Sequence, residues 1–414
     1  MKVTLPLWKK TLTNRNNRIF GKERRYVSQV LDSGFRSSSG SKFTRAFEER
    51  FASEFGVPYA IAFTNGTATL HAALEAFGVG PGDEVIVPPL TMSATAFAVL
   101  QANATPVFAD VDKDTFQISL DSIEAAVTSK TKAIITVALY GLGSDLSSIS
   151  KFAKSAGLWL LEDNAECYLA THEGSIVGTF GDAASYSLQS SKHLTSGEGG
   201  VLITNNLELA EKVRKIQSLG YAGLSASKAK ITKDDIQDPN YSRHVSMGWN
   251  YRMPELCAAV ALAQIENIDR LVGYRVSAGK YFESAVLGYE HILTPQLTPE
   301  NSTNTYWTFA AALNIDLISW TEFRSMFLQH GGDPFYSAWK LTYLEPMFQE
   351  MQLLGREEFI SKTNREKYKL GLCPVSEDLQ PRLLQFKTNY WDKSSAKKQA
   401  LILRKVLQLV ESKI

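Results

Sequence analysis

Short apolar runs alternate with amphipathic segments over the first two-thirds of the chain. The apolar runs have the length of buried strands, and we predict strands over residues 60–63, 84–87, 105–109, 133–137, 158–161, 184–188 and 200–204. Between them, apolar positions recur at helical spacing, which predicts helices over 67–77, 94–101, 121–128, 145–156 and 207–219. Strands that alternate with helices are typical of an α/β fold, in which helices cover both faces of a mostly parallel sheet.

The alternation stops near residue 218. Residues 221–243 are polar and rich in Lys and Asp, and a loop of this length in a compact domain is usually functional. Helical spacing returns at 254–271 and 277–287, and a second α/β unit begins near residue 306 and ends with a helix predicted over 394–410. We therefore predict a large domain over residues 1–270, which includes the N-terminal segment, and a small C-terminal domain over residues 271–414.

The composition is that of a globular protein with a sizeable core. Of 414 residues, 44% are hydrophobic and 21% are charged. Lys and Arg number 44 against 43 Asp and Glu, a balance that argues against a nucleic-acid-binding protein, because such proteins usually carry a concentrated basic excess. The three cysteines, Cys167, Cys257 and Cys373, form no CxxC pair, so we expect neither a metal site nor a disulfide framework.

The apolar runs are also too short for a membrane protein. The longest of them, such as residues 133–139, have the length of a strand and not of a membrane span. Residues 1–18 lack the apolar run of a signal peptide. We therefore expect a cytoplasmic protein that does not bind a membrane.

A first candidate motif, TNGTAT at residues 64–69, connects a predicted strand to a predicted helix. A turn of small residues at a helix N-terminus presents free backbone N–H groups and the positive end of the helix dipole, which together suit a phosphate group. A plain helix cap formed by Thr64 or Asn65 is an equally good interpretation of the motif.

A second candidate motif places the acidic residues Glu162, Asp163 and Glu166 directly after a buried strand. Open α/β sheets bind their ligands at the carboxyl ends of the strands, so one of these carboxylates could hold a positive group of a ligand. Capping of the following turn is the structural alternative.

In a third motif, Lys192 follows a predicted strand in a Ser-rich turn and precedes the glycine-rich sequence GEGG at 197–200. Most lysines are solvated surface residues. A lysine between two buried strands can instead be partly buried, and a partly buried lysine can act as a nucleophile.

In order and spacing, these motifs resemble those of the DegT/DnrJ/StrS sugar aminotransferases, pyridoxal 5′-phosphate (PLP) enzymes of the aspartate aminotransferase fold, fold type I. The markers are NGT at 65–67, GPGDEV at 80–85, PVFADVD at 106–112, ED at 162–163, Ser187 with Lys192, GEGG at 197–200 and GWNYRM at 248–253. The resemblance is nearly continuous from Gly40 to Leu271 and looser beyond. It implies a large PLP-binding domain with a mostly parallel central sheet and a smaller C-terminal α/β domain.

The resemblance also implies a role for each matching residue. Lys192 would form a Schiff base with PLP, and Asp163 would pair with the pyridine nitrogen and keep it protonated. The backbone N–H groups of Gly66 and Thr67 and the hydroxyl of Ser187 would bind the phosphate. PLP is therefore the expected cofactor, and Lys192 and Asp163 are the expected catalytic residues.

Three further positions matter for the site. Asn250 matches a residue that reaches the phosphate from a neighbouring subunit, which implies a homodimer with shared active sites. Met92 stands where the family usually has an aromatic residue stacked on the cofactor ring, and a thioether can also pack on a ring. Glu166 stands where the family usually has Gln or His on the opposite ring face, and its carboxylate could bind the amine of the donor or simply stay hydrogen-bonded within the protein.

The function implied by the resemblance is transfer of an amino group from glutamate or glutamine to a keto-sugar in sugar biosynthesis, lipopolysaccharide included. The acceptor is a nucleotide-linked keto-sugar or a non-nucleotide sugar such as an oxidised octulosonate, toward which the unusual segment 373–382 points. The aromatic run at 333–340 either contributes to a sugar or nucleotide pocket or belongs to the core.

Three alternatives to an aminotransferase function remain open. A sugar dehydratase of the same fold, dependent on PLP or its amino form, is disfavoured by Lys192, because such relatives carry His at that position. A non-catalytic, cofactor-binding regulatory protein would keep the fold without turnover. An α/β nucleotide-binding domain unrelated to PLP would leave Lys192 and Asp163 unexplained.

Overall fold

The computed structural model describes residues 18–35, 42–228, 231, 234 and 237–414. Residues 1–17, where no signal peptide is expected, lie outside the described residues. So do Gly40, where the family resemblance begins, and parts of the predicted loop 221–243.

The described helices and strands follow the predicted alternation. The α-helices are α1 Lys22–Asp32, α2 Lys42–Phe55, α3 Gly66–Ala76, α4 Ala94–Gln101, α5 Leu120–Ala126, α6 Leu146–Ala156, α7 Leu207–Gln217, α8 Glu255–Ile265, α9 Ile268–Val286, α10 Trp320–Gln329, α11 Pro346–Gln349, α12 Lys362–Lys367, α13 Pro374–Leu379 and α14 Lys393–Glu411. The strands are β1 Tyr59–Phe63, β2 Glu84–Val87, β3 Thr105–Phe108, β4 Thr131–Val137, β5 Trp159–Asp163, β6 Thr171–His172, β7 Ser175–Ile176, β8 Ala183–Ser187, β9 Gly200–Thr204, β10 Leu293–Pro295, β11 Thr308–Leu313, β12 Tyr336–Ser337 and β13 Leu383–Lys387.

The large sheet has the strand order β1-β9-β8-β5-β4-β2-β3. Strands β8, β5, β4, β2 and β3 are parallel, whereas β9 runs antiparallel to both of its neighbours, β1 and β8. The sheet is therefore mixed and mostly parallel, as predicted. Its strands are almost entirely buried, because helices cover both faces.

The register of this sheet brings the candidate motifs to one edge. Asp163, at the carboxyl end of β5, pairs with Ser185 of β8. Ser187, at the end of β8, pairs with Gly200, which also pairs with Phe63 at the end of β1. The turns that follow β1, β5 and β8 therefore begin side by side.

A second, antiparallel sheet has the order β10-β11-β13-β12. Its buried face packs against α9, α10 and α14 in a separate apolar cluster. Helix α9 runs across the predicted domain boundary between residues 270 and 271. The division of the chain into two domains at that boundary stays a prediction.

Residues 341–379 return to the large sheet. Leu341, Tyr343, Phe348 and Tyr368 belong to the same buried cluster as Phe108 at the end of β3. Strand β13 of the second sheet begins shortly after residues 341–379. Residues 341–379 therefore connect the C-terminal part of the chain to the large sheet.

The predicted helix over 254–271 is two helices, α8 and α9, separated at residues 266–267. Apolar positions continue on both sides of the break, so the pattern alone does not show the change in direction. No helix in the described ranges is both long enough and apolar enough to cross a membrane.

Candidate active site

Two glycines allow the β1–α3 turn to approach the ends of β8 and β9. A Cβ atom on Gly200 would clash with the backbone of Asn65, and one on Gly66 would lie 3.0 Å from the Cβ of Ser187. Because neither glycine has a side chain, the start of α3 lies directly against Ser187. The three residues predicted to bind phosphate, Gly66, Thr67 and Ser187, are thereby gathered at one place.

The first turn of α3 is capped and still has free donors. The side chain of Asn65 accepts a hydrogen bond from the N–H of Ala68 at 2.8 Å, so Asn65 is the helix cap. The N–H groups of Gly66 and Thr67 precede it and have no acceptor within the helix. The cap interpretation therefore holds, whereas phosphate binding, which the free N–H groups would suit, stays a prediction.

Asp163 is a buried carboxylate that is held in place by two donors. The hydroxyl of Thr95 donates to Oδ2 at 2.9 Å, and the N–H of Ala165 donates to Oδ1 at 3.2 Å. Burial raises the pKa of Asp163 to about 6, although the Thr95 hydrogen bond and the Lys192 charge act in the opposite direction. A buried carboxylate is stabilised by a cationic partner, and a protonated pyridine nitrogen is such a partner.

The neighbouring carboxylate, Glu162, has a structural role instead. It accepts hydrogen bonds from the N–H groups of Gly178, Phe180 and Gly181 at 2.6–2.8 Å. Burial nevertheless raises the pKa of Glu162 to about 7. The three backbone donors assign Glu162 to the structure of this loop. Asp163 lies on the opposite face of β5, because successive residues of a strand point to opposite faces.

Lys192 lies between a carboxylate and an aromatic ring. Its Nζ donates to Oε1 of Glu166 at 3.1 Å, and both side chains are nearly buried. The other oxygen of Glu166 accepts from the N–H of Tyr140 at 3.2 Å. The ring centroid of Trp307 lies 4.4 Å from the same Nζ. The lysine is thus the partly buried residue that the sequence predicted, with an acceptor for its proton in contact.

Two arginines fix the turn that carries Lys192. Arg18 donates to the carbonyl oxygens of Ser190, Lys192 and His193 at 2.7–2.8 Å. Arg275 donates to those of Ser191 and Lys192 at 2.6 and 3.1 Å. Because both arginines come from distant parts of the chain, they connect the lysine turn to α9 and to the N-terminal segment.

His193 points away from this site. Its Nε2 lies 2.9 Å from the carbonyl oxygen of Thr305, and its ring packs near Tyr168. Burial, with a smaller contribution from Arg275, keeps the pKa of His193 well below its usual value. His193 is therefore a neutral core residue and does not compete with Lys192 for a ligand.

The other two predicted residues are accessible on the surface. Met92 is 52% exposed, and its carbonyl oxygen accepts a hydrogen bond from the N–H of Thr95, the residue that holds Asp163. Asn250 is exposed and pairs through its backbone with Ser218. The contacts expected of these two side chains, with the cofactor ring and with a partner's phosphate, stay predictions.

Four residues of the site were not predicted from the sequence: Thr95, Trp307, Arg18 and Arg275. Each acts through a contact between segments far apart in the chain. Apart from Thr95, none of them is distinguished by its local sequence pattern from other residues of its type. The only available signal was the position of Thr95 at the start of a helix that follows a strand end.

Comparisons with known proteins show that the chain is similar to aminotransferases over most of its length. The sequence profile of the DegT/DnrJ/EryC1/StrS aminotransferase family matches residues 17–362. The GDP-perosamine synthase of Escherichia coli O157:H7 is 33% identical over 375 residues, which cover 91% of this chain and 90% of that protein. The L-glutamine:2-deoxy-scyllo-inosose aminotransferase of Streptomyces fradiae is 39% identical over 293 residues, covering 69% of this chain and 68% of the relative.

Among solved structures, an aminotransferase from Psychrobacter cryohalolentis has the same fold, with a TM-score of 0.83 and 28% identity over 95% of this chain and 98% of that one. The predictions of fold type, family and PLP as cofactor are confirmed. The chain belongs to the DegT/DnrJ/EryC1/StrS aminotransferase family, whose members are PLP-dependent enzymes.

Proposed function

We propose that this aminotransferase moves an amino group from glutamate or glutamine to a nucleotide-linked keto-sugar. The observation that carries the proposal is the placement of Lys192, which lies in contact with Glu166 at the sheet edge where Asp163 and the α3 N-terminus also lie. The names of the two relatives support the substrate classes, since one makes a GDP-linked amino sugar and the other uses L-glutamine.

The segment 373–382, on which the non-nucleotide alternative rested, has a structural explanation. At the start of α13, the N–H groups of Val375 and Ser376 donate to the carboxylate of Asp110 at 2.8 and 2.9 Å. Cys373 and Leu379 are buried in the core of the large sheet. Because this segment anchors the C-terminal part of the chain, its unusual sequence gives no reason to prefer an octulosonate.

The residues of the site match the groups of PLP. Gly66, Thr67 and Ser187 would hold the phosphate, Asp163 the ring nitrogen and Met92 a face of the ring, while Lys192 would bind the aldehyde carbon. When bound, PLP withdraws electrons from the α-carbon of the amino donor and makes its proton acidic.

Lys192 is then the group that moves the proton. Its Nζ would take a proton from the α-carbon of the donor and would return it on the other side of the amino nitrogen, at the C4′ position of the cofactor. Glu166 can receive hydrogen bonds from this amine and from the N–H of Tyr140 at the same time, so it orients Nζ without leaving its own position. Asp163, buried and fixed by Thr95, keeps its charge beside the ring nitrogen.

A two-step assay tests the proposal. The purified protein loaded with PLP should be yellow and should lose this colour when L-glutamate or L-glutamine is added. The amino form should then aminate a nucleotide-linked keto-sugar in a panel that also contains octulosonates, with mass spectrometry as the readout. Ping-pong kinetics are expected. Amination of an octulosonate alone would contradict the proposed acceptor class.

Glu166→Gln should keep the protein yellow and active while changing the apparent affinity for one of the two substrates. Gln retains an acceptor for the Lys192 amine but removes the negative charge that faces it at 3.1 Å. We expect a change of about tenfold in one KM, as for the loss of one charged hydrogen bond. Steady-state kinetics with each substrate varied would measure it. A colourless protein would show instead that Glu166 is needed to bind PLP.

We further propose that two subunits share each active site through Asn250. The side chain is exposed on its own chain, in a segment where Val245 and Met247 are also exposed, and a second subunit would bury these apolar residues. Asn250→Ala should lower the affinity for PLP by roughly tenfold, the effect of one phosphate hydrogen bond. Light scattering would measure the oligomeric state, and a PLP titration would measure the affinity for the cofactor. A fully active monomer would contradict the proposal.

A further inference from the structure

Trp307 covers one side of the reacting lysine and is held there firmly. Its indole N–H donates to the carbonyl oxygen of Ser191 at 3.1 Å, and its own carbonyl oxygen accepts from Arg275 at 2.6 Å. The ring centroid lies 4.4 Å from Nζ of Lys192. A substrate whose carbonyl group reacts at the cofactor beside this lysine would therefore come next to the indole of Trp307.

Trp339 extends this aromatic surface toward solvent. Its ring centroid lies 6.4 Å from that of Trp307, with 36° between the ring planes, and the side chain is 42% exposed. The indole of Trp339 contacts that of Trp307 while it stays partly exposed, and the neighbouring residues Ala338 and Leu341 supply the buried contacts of this segment.

The loop that carries Trp339 is fixed by hydrogen bonds at two points. Gln380 donates to the carbonyl oxygen of Ala338 at 3.2 Å, and the N–H of Thr342 donates to that of Pro89 at 3.3 Å. Pro89 precedes Met92 by three residues, so the loop borders the segment expected to contact the cofactor ring. Trp339 therefore lies on a loop that is anchored beside that segment.

We propose that Trp307 and Trp339 bind the apolar face of the sugar ring of the acceptor. This inference rests on the function proposed above. A sugar ring presents a face of C–H groups, and aromatic side chains bury such faces while leaving the hydroxyl groups free for hydrogen bonds. The amino donor has no ring, so the surface serves the acceptor and not the donor. The aromatic run at 333–340 therefore serves both the core, through Phe335, and the acceptor, through Trp339.

Kinetics of the two half-reactions test this assignment. Trp339→Ala should raise the KM for the keto-sugar about tenfold, and Trp339→Phe should restore most of the loss because it keeps an aromatic face. The rate at which the donor bleaches the yellow holoenzyme should stay unchanged in both. Tyr336→Ala is the matched control, since Tyr336 is an exposed aromatic residue of the same segment that makes no ring contact with Trp307 among the described residues.

Binding to the holoenzyme gives a readout that is independent of turnover. The probes are GDP-mannose, which carries a sugar without a keto group, and GDP alone, each titrated by calorimetry. Trp339→Ala should weaken the binding of GDP-mannose about tenfold and leave that of GDP unchanged. An equal loss for both probes would assign Trp339 to the nucleotide and overturn the inference.

The failure of the inference can be separated from that of the proposed function. If the wild-type enzyme aminates no nucleotide-linked keto-sugar, the proposed function is wrong. If it does, and Trp339→Ala has an unchanged KM for the acceptor, only the role of the aromatic surface is wrong.

Discussion

Lys192→Ala should bind PLP without a covalent bond and lose turnover by roughly 10²–10⁴-fold, the usual contribution of a general acid–base group. Alanine removes the amine that contacts Glu166 and Trp307, and with it the group proposed to move the proton from the donor α-carbon to C4′. The contacts of Gly66, Thr67, Ser187 and Asp163 do not depend on this side chain. The variant should therefore still bind PLP and its amino form.

Borohydride reduction followed by peptide mass spectrometry would detect the predicted covalent bond between Lys192 and PLP. In the wild-type protein, reduction should attach the cofactor to the peptide that contains Lys192 and to no other lysine. Lys212→Ala, which removes an exposed lysine of α7, is the control and should leave both labelling and turnover unchanged. Labelling at another lysine, or normal turnover in Lys192→Ala, would overturn the assignment of Lys192.

The same variant can reveal the acceptor. Loaded with the amino form of the cofactor, it lacks the amine that displaces the product, and a complex with the sugar should accumulate. Mass spectrometry of that complex would identify the sugar. A variant that releases product at the wild-type rate would show that another group replaces Lys192 in this step.

The sequence predicts most of the large sheet because its strands are short apolar runs that end where the chemistry begins. Asp163 and Ser187 end such strands and Lys192 follows one, so their position at the sheet edge is a consequence of local pattern. The antiparallel placement of β9 between β1 and β8 is not local. It depends on which strands pair, and on the close approach that Gly200 permits.

The residues that position the reacting groups cannot be predicted from local sequence pattern. Thr95 meets Asp163 across 68 residues, and Arg275 meets the lysine turn across more than 80. A threonine or an arginine in a helix has many possible partners, and the chain between the two contacts does not specify one. Only the assembled fold shows that Asp163 and Lys192 are held by neighbours of this kind.

Asp163→Asn should fold and bind PLP but lose turnover on the order of 10²-fold. An amide has no charge with which to keep the ring nitrogen protonated, and the loss of a buried charge partner costs about 3 kcal/mol. Thr95 and Ala165 can still hold the amide, because a hydroxyl both donates and accepts. Single-turnover kinetics with L-glutamate would measure the loss. Near-normal turnover would show that another group holds the ring nitrogen.

The same substitution should stabilise the cofactor-free protein at neutral pH. The Asp163 carboxyl has a pKa of about 6 in the folded chain against an ordinary value of 3.8, because burial disfavours its charge. Between these two values the folded state binds more protons than the unfolded state, so the free energy of unfolding falls as the pH rises through this window. Above pH 6 the carboxyl is ionised in both states, and its burial lowers the free energy of unfolding by about 3 kcal/mol, for a pKa shift of roughly two units.

Asparagine carries no such cost, so the cofactor-free Asp163→Asn variant should be more stable than the wild type by about 1–3 kcal/mol above pH 6, and equal to it below pH 4. Denaturant unfolding at pH 4 and at pH 7.5 would measure the difference. Thr95→Val, which removes one donor to the carboxylate, is the control and should be less stable than the wild type at pH 7.5. A gain that is the same at both pH values would show that it does not arise from the ionisation of Asp163. A gain confined to high pH would instead identify Asp163 as a residue whose burial destabilises the empty protein and whose charge serves the bound cofactor.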